Sequence, residues 1–276
     1  MGYARLSGAR TTLIVDAAAP PTGLASFNGH ASTLAFELTS GRRPLIVNCG
    51  SGATFGEDWR RAGRATPSHS TLCLDGFSSA RLGETSRIGP IERELLDDVP
   101  KSVPIEIGRT SDATRFEGGH DGYLKTHGLT HARILEVTFD GRGISGEDLL
   151  VALDPPDQVT FDRKLEDTRL AGIPFDIRFH LHPEVDAAID MNGTAVSMAL
   201  RSGEIWVFRF DANCQMTLEP SVYLEKGRLR PRATKQIVLS ARAMEYATRV
   251  RWTLAKAQDT AIAVRDLVQD DATLLN

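Results

Sequence analysis

Residues 175–185 read FDIRFHLHPEV, and their alternation decides the fold. Successive side chains of an extended strand point to opposite faces. Phe175, Ile177, Phe179 and Leu181 therefore share one face, with Asp176, Arg178, His180 and His182 on the other. A helix would spread both sets around its circumference and bury neither, so the stretch reads as a half-buried strand. Its apolar face is expected to line a core. The two imidazoles, spaced HxH on one face, could hold a metal; a solvated polar face, with Asp176 and Arg178 as ordinary partners, is the reading adopted.

The same period of two recurs outward from this strand. In LTHARILEVTFDG (129–141), Leu135, Val137 and Phe139 oppose Glu136 and Thr138; in SGEIWVFRFD (202–211), Trp206, Phe208 and Phe210 oppose Val207 and Arg209. TRVRWTL (248–254) sets Val250, Trp252 and Leu254 against Arg249, Arg251 and Thr253. Asp140-Gly141, Asn192-Gly193 and Ser202-Gly203 supply the residues that tight hairpin turns favour. The expected architecture is all-β, with antiparallel sheets stacked face to face. Two regions break the pattern. Residues 83–104 carry charges, Pro90 and Pro100 with no sustained period, and read as an irregular excursion with a short helix at IERELLDD (91–98). Residues 255–276 are rich in helix formers, with Ala261, Val264 and Val268 on one stripe, and read as a helical tail. With no repeat, linker or low-complexity segment, residues 1–276 read as a single domain.

Composition narrows the partners. A net charge of −4 with 25% charged residues offers no general field for nucleic acid or an acidic membrane, so any polyanion site must be a local basic patch. Cys49, Cys73 and Cys214 are too scattered for a disulfide framework and read as small buried residues. No apolar run is long enough to span a membrane. The opening MGYARLSGARTTLIVDAAAPP (1–21) lacks the apolar core and small-residue cleavage site of a signal peptide. A strand-like TTLIVDA so near the start is expected to follow a missing upstream half.

Four sets of residues could carry chemistry. His30 precedes the strand-like TLAFEL, Asn48 ends PLIVN and His69 precedes STLCLD. Strand ends are where side chains converge, and neutral imidazoles suit zinc, but Asn48 is a weak neutral ligand, and satisfied or exposed polar side chains are the reading adopted from these residues alone. His120, Tyr123, His127 and His131 cluster in GGHDGYLKTHGLTHAR (118–133). A tyrosine near a histidine can do acid/base work; a surface cluster is the reading adopted. His180 and His182 form the third set. Arg60, Arg61 and Arg64 follow Trp59 in WRRAGRAT (59–66), where guanidinium groups could bind a carboxylate or sulfate and the indole could stack on a sugar. A solvated basic turn paired with Glu57 and Asp58 is the equal alternative.

GHASTLAFELTSGRRPLIVNCG (29–50), WRRAGRATPSHSTLCLDG (59–76) and FDIRFHLHPEV together resemble the C-terminal module of the heparinase II/III family of bacterial polysaccharide lyases. The likeness runs over residues 3–254. It implies a multi-layered antiparallel β-sandwich preceded by a helical α/α-toroid, with an acidic polysaccharide in the cleft between them. It also implies β-elimination at a uronic acid: the carboxylate is neutralised, a base takes the C5 proton and an acid protonates the leaving oxygen. The usual acid/base tyrosine belongs to the toroid.

Taken residue by residue, the resemblance puts Asn28 where the family has a histidine reaching into the cleft. It puts His30 and His69 at the two histidines of a structural zinc, Asn48 at the zinc's aspartate, and Ser32 where the first motif carries an acid. His30, Asn48 and His69 are therefore expected to lie together, with the zinc site empty or weakly filled and Asn48 bridging the histidines by hydrogen bonds instead. The expected function is the β-module of a lyase acting on uronic-acid polysaccharides, with Asn28, Trp59, Arg60, Arg61 and Arg64 facing the substrate. The alternative is a non-catalytic acidic-glycan-binding or structural module. A periplasmic location follows for the full-length protein if the resemblance holds, and a cytoplasmic one otherwise.

Overall fold

Alternating sequences become strands here because each pairs with a neighbour that buries the same face. The computed structural model describes residues 2–88 and 91–258. In chain order its strands are β1 (Tyr3–Gly8), β2 (Thr11–Asp16), β3 (Phe36–Ser40), β4 (Arg43–Val47), β5 (Leu72–Leu74), β6 (Arg81–Ile88), β7 (Ile91–Asp97), β8 (Ile105–Arg109) and β9 (Ala113–Tyr123). There follow β10 (Leu129–Thr138), β11 (Gly143–Val151), β12 (Ile173–Leu181), β13 (Asp186–Asp190), β14 (Ala195–Ala199), β15 (Ile205–Phe210), β16 (Gln215–Tyr223), β17 (Arg232–Ala243) and β18 (Ala247–Gln258). Helices are few: α1 (Glu57–Arg64), α2 (Leu124–His127), α3 (Pro155–Asp167) and short 3-10 turns such as Gly23–Asn28 and Thr66–Ser68.

Two large antiparallel sheets result. One runs β1-β2-β3-β4-β12-β17-β16, with β5 also on β12; the other runs β13-β14-β15-β18-β11-β10-β9-β8. Their facing surfaces share one apolar core. At its centre Phe36 and Phe179 of the first sheet meet Phe208 and Trp252 of the second. Phe36 stacks on Trp252 with ring centroids 5.6 Å apart, and Phe179 stands edge-on to Trp252 at 4.8 Å and Phe208 at 4.9 Å. Gly146 of β11 lies opposite Trp252, and a Cβ there would fall 2.0 Å from the indole, so only glycine lets the ring lie flat against the strand.

The strand that opened the reading is β12. Phe175, Ile177, Phe179 and Leu181 are all buried in the core, as their spacing requires. The hairpins at Asp140-Gly141, Asn192-Gly193 and Ser202-Gly203 join β10 to β11, β13 to β14 and β14 to β15. Cys49 and Cys73 are buried and Cys214 partly so, all as free thiols.

Four expectations are corrected. IERELLDD is not helical: it supplies β7, paired with β6 through contacts such as Leu82↔Leu96 and Arg81↔Asp97. Leu96 packs with Ala31 and Ala80 in a small second cluster, and that tertiary pairing overrides the helix propensity of Glu and Leu. The first residues of the expected tail, Ala255 to Gln258, continue β18 instead, and its stripe of Ala261, Val264 and Val268 lies outside the described residues. Finally, the polar face of β12 is not solvated at His180, which is 3% exposed, nor are His120, Tyr123, His127 and His131 on the surface.

Those histidines are buried because partners are built around them. β12 shares one edge between β4, at His180 and Leu181, and β5, at Phe175 to Ile177. The turn between α1 and β5 folds into the gap, where the Ser70 hydroxyl accepts the His180 N–H at 3.0 Å. His180 Nε2 then donates to Pro67 O at 2.9 Å, and its Nδ1 accepts from the Ser221 hydroxyl at 2.8 Å.

Candidate functional site

The site lies where the 3-10 turn Gly23–Asn28, the ends of β2 and β3, the residues after β4 and the turn before β5 converge. Asn28, His30, Asn48 and His69 line one pocket of about 480 Å³, together with Asp16, Glu37 and Tyr3. All four positions to which the resemblance gave roles at the cleft or metal are thus in one place.

The arginine run builds this pocket from behind. α1 is amphipathic in an unusual sense: its buried side carries Arg60, Gly63 and Arg64. Arg64, 1% exposed, donates to the carbonyls of Gly29 (2.8 Å), Ser26 (2.9 Å) and Glu94 (2.7 Å), which pins the segment leading to His30. Arg60 donates to Phe27 O and, at 3.4 Å, to Asn28 Oδ1, and lies over the Phe27 ring. Arg61 is exposed and paired with Glu94. Of the sequence-derived substrate contacts, none of Trp59, Arg60, Arg61 and Arg64 is among the pocket-lining residues, and Arg60 reaches the site only through its bond to Asn28. A burial-driven task for a charged side chain is invisible in a run of basic residues.

His30 and His69 touch. His69 Nδ1 donates to Ala65 O at 2.9 Å, which leaves its Nε2 to accept from His30 Nδ1 at 3.0 Å. Burial pushes the His69 pKa down to about 3, with the neighbouring His30 adding to the effect. His30 falls to about 4, through burial and then the charge of Arg64. Both imidazoles are therefore neutral near pH 7. Asn48 does not bridge them: its Oδ1 accepts the Ser70 N–H at 2.8 Å and its Nδ2 donates to Glu37 Oε1 at 3.2 Å. Among the described residues no three His, Cys, Asp or Glu side chains gather as a metal would require. The residues present do not fit a closed four-coordinate zinc centre.

The pocket's ionisable lining is acidic. Asp16 and Glu37 contribute carboxylates, and no lysine or arginine is among the described lining residues. Asp16 accepts from the Ser32 hydroxyl at 2.5 Å, and burial raises its pKa.

Sequence reasoning missed a second polar system, between the sheets. Asp148 accepts from His131 Nε2 (2.8 Å), Arg133 Nε (2.8 Å) and Trp252 Nε1 (3.0 Å), and all four are buried. Arg133 Nη1 also donates to Leu34 O (2.8 Å) and Ser70 O (2.9 Å), so this core pair braces the Ser70 that holds Asn48. The signal was present: His131 and Arg133 lie in phase with Leu135 and Val137, and Asp148 with Ile144 and Leu150.

Two stacked antiparallel sheets with a polar pocket at one strand end define the class: a β-sandwich module. The family model "Heparinase II/III-like, C-terminal" matches residues 1–253, and the chain belongs to that family. It is 32% identical over 267 residues to FtsZ-localized protein C of Caulobacter vibrioides, covering 93% of this chain and 42% of that protein. The chain thus spans about two fifths of the length of this curated relative. Among solved structures it is similar to a heparinase III (TM-score 0.64, 14% identity, covering 92% of this chain and 34% of that one). It is likewise similar to heparan sulfate lyase HepC from Pedobacter heparinus (TM-score 0.63, 13% identity, 91% and 34%). At such identities these structures attest the fold.

Proposed function

We propose that this chain is the β-sandwich module of a heparinase II/III-like polysaccharide lyase, and that it lends the Asn28 pocket to a cleft for uronic-acid polysaccharides whose other wall is an α/α-toroid. The observation that carries the reading is the coincidence of family membership with the convergence of Asn28, His30, Asn48 and His69 on one open pocket. The solved lyases of the same fold are about three times longer than the matched part, which leaves room for a second wall.

The pocket's chemistry explains why a second wall is needed. β-Elimination requires the uronate carboxylate to be neutralised before the C5 proton can leave. Asp16 and Glu37 cannot do that, and the pocket-lining residues include no cation. What this wall offers is positioning: the Asn28 amide can donate to a sugar oxygen, and Arg60 at its carbonyl holds the amide's orientation. The charge-neutralising groups and the proton-transferring tyrosine belong to the partner wall in this reading.

The test is to assay this chain and a longer protein bearing the upstream helical region on heparan sulfate, alginate and other uronates, following the ultraviolet absorbance of unsaturated ends. The chain alone is expected to be silent, and the longer protein active and weakened by Asn28→Ala. A longer protein that neither cleaves nor binds any uronate overturns the proposal. The name of the Caulobacter relative raises a second reading, a module of a protein localised with FtsZ. Co-localisation of the tagged full-length protein with FtsZ, without lyase activity, would select it.

A further inference from the structure

The position where the resemblance implies a structural zinc is built in this chain as a hydrogen-bonded cluster in two sets, His30 with His69 and Asn48 with Ser70 and Glu37. Zinc needs several lone pairs aimed at one centre. Here the His69 Nε2 lone pair is taken by His30 Nδ1, and one of the two lone pairs of Asn48 Oδ1 by the Ser70 N–H. Asn48 Nδ2 is a donor and cannot ligate a cation at all. It points at Glu37 Oε1, which also accepts the Asn48 backbone N–H at 3.2 Å.

We infer that this cluster is metal-free by construction, that its hydrogen bonds make the ties between strands that a zinc ion would make, and that Asn48 decides the matter. An asparagine side chain fits the position because it presents one acceptor, to Ser70, and one donor, to Glu37. A carboxylate there would face Glu37 across 3.2 Å as like charges, a repulsion that a divalent ion relieves. Two carboxylates and two imidazoles are a donor set that zinc accepts. The cluster is rigid from behind: the Ser70 carbonyl accepts from buried Arg133, and the Ser70 hydroxyl donates to Val47 O at 2.8 Å while accepting the His180 N–H. The Ser70 N–H therefore stays aimed at Asn48 without a metal to hold it.

The experiment is elemental analysis of protein purified without chelator, with thermal unfolding in EDTA and in added zinc chloride, on wild type and Asn48→Asp. Wild type is expected to carry far less than stoichiometric zinc and to unfold at the same temperature in all conditions. Asn48→Asp is expected to take up about one zinc per chain and to lose thermal stability when EDTA removes it. Should that variant not fold alone, its refolding with and without zinc gives the same reading, zinc-dependent recovery being the expected result. Stoichiometric zinc in wild type, lost only in His30→Ala or His69→Ala, overturns the inference. So does a folded Asn48→Asp that takes up none. None of these outcomes depends on whether the protein cleaves a glycan.

Discussion

Asp148→Asn tests the buried network with almost no change of volume. The wild-type carboxylate sits between the sheets and receives three donors, from His131, Arg133 and Trp252. An amide can accept at one end only, so its NH2 must face either the indole N–H or the pair of donors from His131 and Arg133. The Arg133 guanidinium, 0% exposed, would also lose its counter-charge. Removing one partner of a buried ion pair costs about 3–5 kcal/mol, because the remaining charge is left uncompensated in a poorly polarisable interior. That corresponds to a fall of about 10 °C in melting temperature for a chain of this size. Urea unfolding followed by tryptophan fluorescence measures the free energy directly, since Trp252 touches the substituted residue. A loss below about 1 kcal/mol would refute the reasoning and mean that Arg133 is hydrated or neutralised in some other way. A double variant, Asp148→Asn with Arg133→Met, is expected to recover part of the loss, because the stranded charge is gone.

Phe179→Ala is expected to cost about 3–5 kcal/mol, since this ring touches Phe36, Phe208 and Trp252 at the seam of the two sheets; a cost near 1 kcal/mol would place it outside the core. Stability is expected to decline on acidification. Burial lowers His69 to about 3 and His180 to about 4, against roughly 6.5 when unfolded, so the unfolded chain takes up protons first. Their contribution is complete above about pH 6.5 and is lost as pH falls towards the folded values, at up to about 1.4 kcal/mol per pH unit for each imidazole. Chemical denaturation at pH 7 and at pH 4.5 checks this, and equal stabilities would contradict it. Arg64→Met is expected to loosen the segment at 26–29 and destabilise the fold without altering any direct glycan contact, whereas Arg61→Met is expected to be nearly silent in stability; the reverse order in thermal unfolding would contradict the assignment.

The sheets were legible in the sequence because burial of one face leaves a period of two that no neighbouring residue has to confirm. β12, β15 and β18 carry that mark in Phe175 to Leu181, Trp206 to Phe208 and Val250 to Leu254, and the hairpin dipeptides carry the turns. Membership of the lyase family was legible too, in three phrases that the family model matches as part of residues 1–253. β7 was not, since its residues prefer a helix in isolation and become a strand only through β6. The convergence of Asn28, His30, Asn48 and His69 was suggested by resemblance, but their bonding was decided by the chain's folding. Whether Asn48 turns to the histidines or to Ser70 and Glu37 depends on hydrogen bonds between residues up to 22 positions apart. The fate of the charges was likewise a tertiary matter. Arg60 and Arg64 read equally as substrate contacts or as a solvated basic turn, yet they are buried because the 26–29 turn brings backbone carbonyls to them, and a guanidinium is stable inside a protein only where such acceptors are supplied. A sequence shows which side chains need partners; the partners come from distant strands, and only the folded arrangement of those strands assigns them.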